Sequence, residues 1–237
     1  MTAVLVADCV SKSFGGRKVL TSGTLRAFPR QLRVMLGRNG SGKTTLIKIA
    51  AGWLSADGGA VHYAGVCYPA ARLSRLARQG LFYLPDHDLL SDAFTVRRQL
   101  EMFKEKFNGG DPDEAASRMG IDGLLDRRPS ELSGGEKRRA ELAAIFVRQP
   151  RCLLADEPYR GVAPKDAEDL TAAFRALAER GCAVVVTGHE VPTLLAAASH
   201  VTWCTAGTTH ELGSPAEALR HYEFSRQYLG PGAFRAS

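Results

Sequence analysis

The sequence predicts an α/β domain: a mostly parallel sheet with helices on its faces. Three observations predict it. Short apolar runs of strand length alternate with stretches of helical periodicity. One such run, Leu32–Leu36, leads straight into a glycine-rich loop followed by a helical pattern. Residues 95–149 then carry helical periodicity without strand-like runs, marking a helical segment inserted into the core.

The elements follow in order. Residues 4–10 alternate loosely as a strand, and Gly15-Gly16 marks a turn. The buried strand at 32–36 is followed by a helix over 44–52 that Gly52 stops. Strands are expected at 60–66 and 81–84. Helices interrupted by Gly109-Gly110-Asp111-Pro112 come next. The strand Cys152–Ala155 resumes the core and is expected to lie beside the strand that leads to the glycine-rich loop. A helix over 165–180 ends at Gly181, and a strand over 183–187 follows. The tail from about Tyr222 carries no readable motif.

The bulk numbers narrow the class. At 237 residues, 45% hydrophobic and 24% charged, the chain has the composition of an ordinary globular protein. It has no run of about 18 apolar residues and no signal-like start, so a cytoplasmic location is expected. Five scattered cysteines (Cys9, Cys67, Cys152, Cys182, Cys204) form no CxxC pair, which argues against a disulfide framework or a zinc site. The net charge of +6 tolerates an anionic neighbour without establishing one. Arg72, Arg75 and Arg78 at helical spacing, and the run Lys137-Arg138-Arg139, read either as solvated helix faces or as contacts to phosphates or lipid heads.

Gly37 to Thr44 fits G-x-x-x-x-G-K-[ST] without gaps. The spacing suits one chemistry. Gly37, Gly40 and Gly42 permit turns that a Cβ would block, so the N–H groups of Asn39, Gly40, Ser41 and Gly42 turn inward on phosphate oxygens. The following helix adds its positive end. Lys43 reaches the β- and γ-phosphates, Thr44 offers a hydroxyl to Mg²⁺, and Thr45 is the last of the expected ATP-binding residues of the loop. The ligand expected is ATP.

Two further motifs complete a site. The strand Cys152–Ala155 ends in Asp156 and Glu157. Asp156 is expected in the Mg²⁺ shell. Glu157 is expected near the γ-phosphate as general base on the attacking water. Leu132-Ser133-Gly134-Gly135-Glu136 precedes a helix, so Ser133, Gly134, Gly135 and Glu136 form a second anion site at a helix N-terminus. One nucleotide has no need of two such sites from one chain. Two copies packed head to tail do, each ATP lying between one Lys43 loop and the other chain's Ser133 loop.

The order of these motifs resembles the ATP-binding cassette (ABC) family over nearly the whole chain, and Leu132 to Glu136 looks like its signature. The stretch Gly161-Val162-Ala163-Pro164 is similar to the cassettes of branched-chain amino-acid and lipopolysaccharide transporters. The resemblance implies a P-loop NTPase (RecA-like) core with a small N-terminal antiparallel β part. It also implies a core lobe of residues 1–84 and 151–237 and a helical lobe of 85–150 carrying the signature. Phe14 takes the place of the aromatic that stacks on adenine, against core packing as the plain alternative. His189 looks like the switch histidine at the γ-phosphate. Two positions depart from the pattern. Asp86 stands where the family has a metal-holding glutamine; it can still offer oxygen to Mg²⁺, but adds negative charge near the phosphates. Ala163 replaces an aspartate that helps join the two sites, which suggests weaker communication or slower hydrolysis.

The function so implied is the ATP-binding and ATP-hydrolysing subunit of a transporter. Its expected partners are a second cassette and a transmembrane permease subunit, met at the cytoplasmic face of the membrane, with no nucleic acid. Two alternatives stay open: a soluble ABC ATPase acting on nucleic acid or the ribosome, motivated by the charge, and a weakly hydrolysing nucleotide switch, motivated by Asp86 and Ala163.

Overall fold

In a computed structural model, which describes residues 2–229, the chain builds one ten-stranded sheet. β1 (Leu5–Phe14) and β2 (Arg17–Ala27) form the first hairpin, and β3 (Leu32–Leu36) leads into α1 (Lys43–Ala50). A second hairpin, β4 (Gly58–Tyr63) and β5 (Val66–Tyr68), is followed by α2 (Leu73–Arg78) and β6 (Leu81–Leu84). Three helices come next: α3 (Val96–Phe107), α4 (Pro112–Arg118) and α5 (Gly134–Arg148). Then β7 (Cys152–Ala155), α6 (Pro164–Glu179), β8 (Ala183–Gly188) and α7 (Val191–Ala197) lead to the hairpin β9 (His200–Thr205) and β10 (Thr208–Gly213). The chain closes with α8 (Pro215–Arg220) and helical turns over Tyr222–Phe224 and Ser225–Leu229.

The sheet order is β5-β4-β1-β2-β10-β9-β3-β8-β7-β6. The strands β9-β3-β8-β7-β6 run parallel, whereas β1, β2, β4 and β5 pair antiparallel. This is the α/β architecture with an antiparallel N-terminal part. Every residue of β3, β6, β7 and β8 is buried, which is why these strands read as unbroken apolar runs: helices cover both faces. Side-chain alternation then sorts two cores. Val34, Leu36, Leu153, Val184 and Val186 face α3, α5 and α6. Met35, Leu154 and Val185 face α1, α2 and the antiparallel strands. The helices between β6 and β7 share the first of these cores with the sheet.

Two sequence expectations need correction, and three strands need adding. The strand expected over 60–66 is a hairpin, because Ala64 and Gly65 both take positive φ (50° and 80°) and turn the chain. The same device at Gly15-Gly16 and Ala206-Gly207 makes the hairpins that alternation alone did not reveal, including all of β2, β9 and β10. The second correction is that β7 does not lie beside β3. β8 sits between them, paired in parallel with both.

The basic run of α5 is neither a solvated face nor a free phosphate-binding patch. Lys137 pairs with Asp88 at 2.7 Å, Arg138 with Glu141 at 2.8 Å, and Arg139 with Asp166 at 2.8 Å. Arg138 also donates to the Asp86 carbonyl at 3.1 Å, and Glu141 accepts from the Leu89 N–H at 3.2 Å. These contacts fasten the segment after β6 onto α5. Burial pushes the Glu141 carboxyl above its ordinary value of 4.5, and Arg138 is the main charge holding it down.

A group raised in the folded state loses stability for the native form as pH climbs through the window above its ordinary value. Arg138→Ala should therefore destabilise by about 3–5 kcal/mol at neutral pH, because it strands a buried charge. The loss should shrink as pH falls and Glu141 takes up a proton; urea unfolding at neutral and at acidic pH measures it. Phe174 of α6 is fully buried, edge-on to Tyr159 at 6.2 Å between ring centres. Phe174→Ala should cost about 3–5 kcal/mol in the same assay.

Candidate functional site

Parallel pairing brings the C-terminal ends of β3, β8 and β7 to one edge of the sheet, since Leu36 aligns with Gly188 and Ala155 with Val186. Open α/β sheets bind ligands at this edge. β3 delivers the loop of residues 37–42, β7 delivers Asp156 and Glu157, and β8 delivers His189. A cavity of about 490 Å³ opens there, lined by Asn39, Gly40, Gly42, Lys43, Thr44, Thr45, Glu157 and His189, with Val19 and Arg160.

The loop is shaped by close approach. A Cβ on Gly37 would lie 2.2 Å from the Cys204 carbonyl, so only glycine fits. Gly42 caps α1 at φ 105°, a conformation that costs other residues dearly. Lys43 is 4% exposed, and its ammonium donates to the carbonyls of Gly37 (2.7 Å) and Arg38 (3.3 Å). Burial pushes its pKa down, against the pull of Glu157. The buried Ser41 hydroxyl has no hydrogen-bond partner among the described residues. The loop thus presents buried donors, a desolvated cation and a helix N-terminus, the chemistry that accepts phosphate.

Asp156 is 1% exposed. Its Oδ1 accepts from the Thr187 hydroxyl (2.7 Å) and the Thr44 hydroxyl (3.1 Å), and its Oδ2 from Tyr83 (3.4 Å). Burial raises its pKa, and the Thr187 and Thr44 bonds draw it back. Thr187 also accepts from the Glu157 N–H at 2.9 Å, while Glu157 sits at φ 45°, left-handed for a residue with a Cβ. Sequence reading missed Thr187. The signal available was a hydroxyl two residues before His189, at the end of the apolar strand Ala183–Gly188. The Glu157 carboxylate lies 3.8 Å from His189 Nδ1.

Thr44 and Asp156 place a hydroxyl and a carboxylate together beside this cavity. Among the described residues no group of three or more His, Cys, Asp or Glu could hold a metal alone. Two hard oxygen donors next to a phosphate cradle fit Mg²⁺, which keeps water and phosphate oxygens in its shell. Asp86 turns one carboxylate oxygen toward His87 Nδ1 at 2.7 Å and the other toward the Arg160 guanidinium at 3.6 Å. Phe14 stands at the β1–β2 turn, 47% exposed rather than packed in the core, with the Lys12 ammonium 5.6 Å from its ring centre.

Ser133 to Glu136 lies outside the cavity of the Lys43 loop. Ser133 caps α5, and its N–H and hydroxyl both donate to the Glu136 carboxylate at 2.8 Å. Gly134 and Gly135 follow as the first turn, and Gly135 borders a separate cleft between α4, α5 and α6. Ala163 occupies the N-cap of α6 without a side-chain cap. The tail also reaches the site: Arg38 donates to the Gln227 carbonyl at 3.0 Å, and the Tyr228 hydroxyl lies 3.5 Å from the Gly37 carbonyl.

Comparison with known proteins agrees with this geometry. A family model described as ABC transporter matches residues 20–160. The chain is 30% identical over 240 residues to the lipopolysaccharide export system ATP-binding protein LptB of Escherichia coli, covering 96% of this chain and 98% of that protein. It is 30% identical over 233 residues to the zinc import ATP-binding protein ZnuC of Halorhodospira halophila, covering 94% and 83%. An ATP-binding cassette of an ABC transporter in its ADP conformation shares the fold, with a TM-score of 0.84 at 23% identity over 97% of this chain and 100% of that one. With its phosphate loop, its paired acids and these relatives, the chain belongs to the ABC transporter family as an ATP-binding, ATP-hydrolysing subunit.

Proposed function

We propose that the chain works as one of two cassettes closed head to tail on two ATPs, and that this cycle drives a separate membrane-spanning permease from the cytoplasmic face. The observation that supports this best is the separation of the two anion sites. The Lys43 loop lines its cavity without the signature residues Ser133, Gly134, Gly135 and Glu136, which stand outside it at the N-terminus of α5. A second cassette would bring its Ser133 loop to the open side of the first.

Each residue then has a role. Lys43 moves from the Gly37 and Arg38 carbonyls to the β- and γ-phosphates. The N–H groups of the loop hold the phosphate chain, and Phe14 offers an exposed ring to adenine. Thr44 and Asp156 would hold Mg²⁺, which would supply charge neutralisation for the phosphates. Glu157 takes the proton of the attacking water, and His189 supports the γ-phosphate. The water oxygen bonds to the γ-phosphorus as the bond from the bridging oxygen to that phosphorus breaks, leaving ADP and phosphate.

The permease contact is assigned to the lobe of residues 85–150, with 1–84 and 151–237 as the nucleotide lobe. Leu89, Phe94, Met102, Phe103 and Phe107 line a largely apolar groove along α3, the kind of surface that takes the apolar face of a partner helix. Among the described residues no helix is long and apolar enough to cross a membrane, so the passage would belong to the partner. Relatives of nearly equal identity are named for zinc import and for lipopolysaccharide export. This is consistent with a cassette that leaves the choice and direction of cargo to that partner.

Glu157→Gln tests the scheme. Phosphate release with Mg²⁺ and ATP should fall by about 10²-fold or more, and the variant should accumulate as an ATP-bound pair of cassettes. Turnover equal to the parent's would remove Glu157 as the base. Ala163→Asp should add an N-cap to α6 and raise stability by about 1 kcal/mol in urea unfolding.

A further inference from the structure

Arg160 lies three residues after Glu157, in the loop between β7 and α6, and lines the same cavity as Gly40, Lys43, Thr44, Glu157 and His189. It is the second cation of that lining. Its side chain is 66% exposed, and its one ion-pair partner among the described residues is Asp86, at 3.6 Å. The other Asp86 oxygen faces His87. An exposed pair at that distance is weak and readily exchanged for a better partner. A terminal phosphate is such a partner, because a guanidinium matches its oxygens in fork geometry and loses its water more easily than an ammonium does. The charge balance points the same way. Asp86, Asp156 and Glu157 gather three carboxylates around this end of the cavity, and ATP brings more negative charge to it.

We propose that Arg160 is a further nucleotide-binding residue of this site, held on Asp86 while the cavity is empty and transferred to the terminal phosphate when ATP enters. Asp86 then serves as the resting place of that arginine. The inference rests on the nucleotide reading of the cavity and adds discrimination of ATP from ADP. The placement of Arg160 beside Glu157 and His189 assigns it to the γ-phosphate end.

Equilibrium binding of the β,γ-imido analogue of ATP and of ADP, each with Mg²⁺, tests it on the purified chain and its variants. Arg160→Ala should weaken the analogue by about tenfold, the worth of one charge-assisted hydrogen bond, and leave ADP unchanged. Arg160→Lys should recover part of the loss. Asp86→Asn should tighten the analogue, and that gain should vanish when Arg160 is also alanine. Equal weakening of analogue and ADP, no weakening of either, or the same gain from Asp86→Asn in both backgrounds would overturn the proposal. Lys43→Ala separates the two levels. If it loses both nucleotides while Arg160→Ala loses neither, the cavity binds nucleotide and only the role of Arg160 falls; if Lys43→Ala loses neither, both readings fall.

Discussion

The Asp156 carboxylate organises this molecule. It sits at the end of β7, almost fully buried, and its oxygens gather hydroxyls from three elements: Thr187 of β8, Thr44 of α1 and Tyr83 of β6. A buried charge without partners would cost far more than the fold gains from nearby packing. Satisfying this one fixes the helix after the phosphate loop against the strand that carries the acids. It also sets Glu157, because the Thr187 hydroxyl that donates to Asp156 accepts the Glu157 N–H. The left-handed backbone at Glu157 is strain of the kind found where a side chain must be aimed.

A second set of contacts ties this centre to the rest of the chain. Arg138 and Glu141 of α5 hold the backbone of Asp86 and Leu89, and Arg139 holds Asp166 on α6. Tyr159, in the loop just after Glu157, packs edge-on to Phe174 and shares a hydrogen bond with Thr171. The signature helix is therefore bonded to both segments that flank the nucleotide cavity. The tail contributes from the other side, resting Gln227 and Tyr228 on the start of the phosphate loop.

Much of this was legible in the sequence where chemistry demands fixed spacing. The phosphate loop, the paired acids and the serine-glycine cap each concentrate their signal within a few neighbouring residues, because a backbone cradle or a capped helix is a local object. The buried parallel strands were legible for a similar reason: covered on both faces, they carry no polar alternation. The hairpins were harder. Alternation is blurred in β1 and β2, where residues of both faces are partly exposed, and the turn signal lies in residue pairs such as Ala206-Gly207 that composition does not distinguish.

The sequence by itself determined which groups are available: a lysine and backbone donors in a glycine-rich loop, a hydroxyl beside them, and an aspartate with a glutamate one residue on. Tertiary structure decided which of them meet. β8 between β3 and β7 follows from how crossover helices pack, and no local pattern records it. That insertion makes Thr187 the link between Asp156 and Glu157. Only folding brought Arg160 opposite Asp86 and set Lys137 and Arg139 of α5 against Asp88 and Asp166. Charges distant in sequence find partners through the packing of the elements that carry them, and such partners leave no trace in spacing.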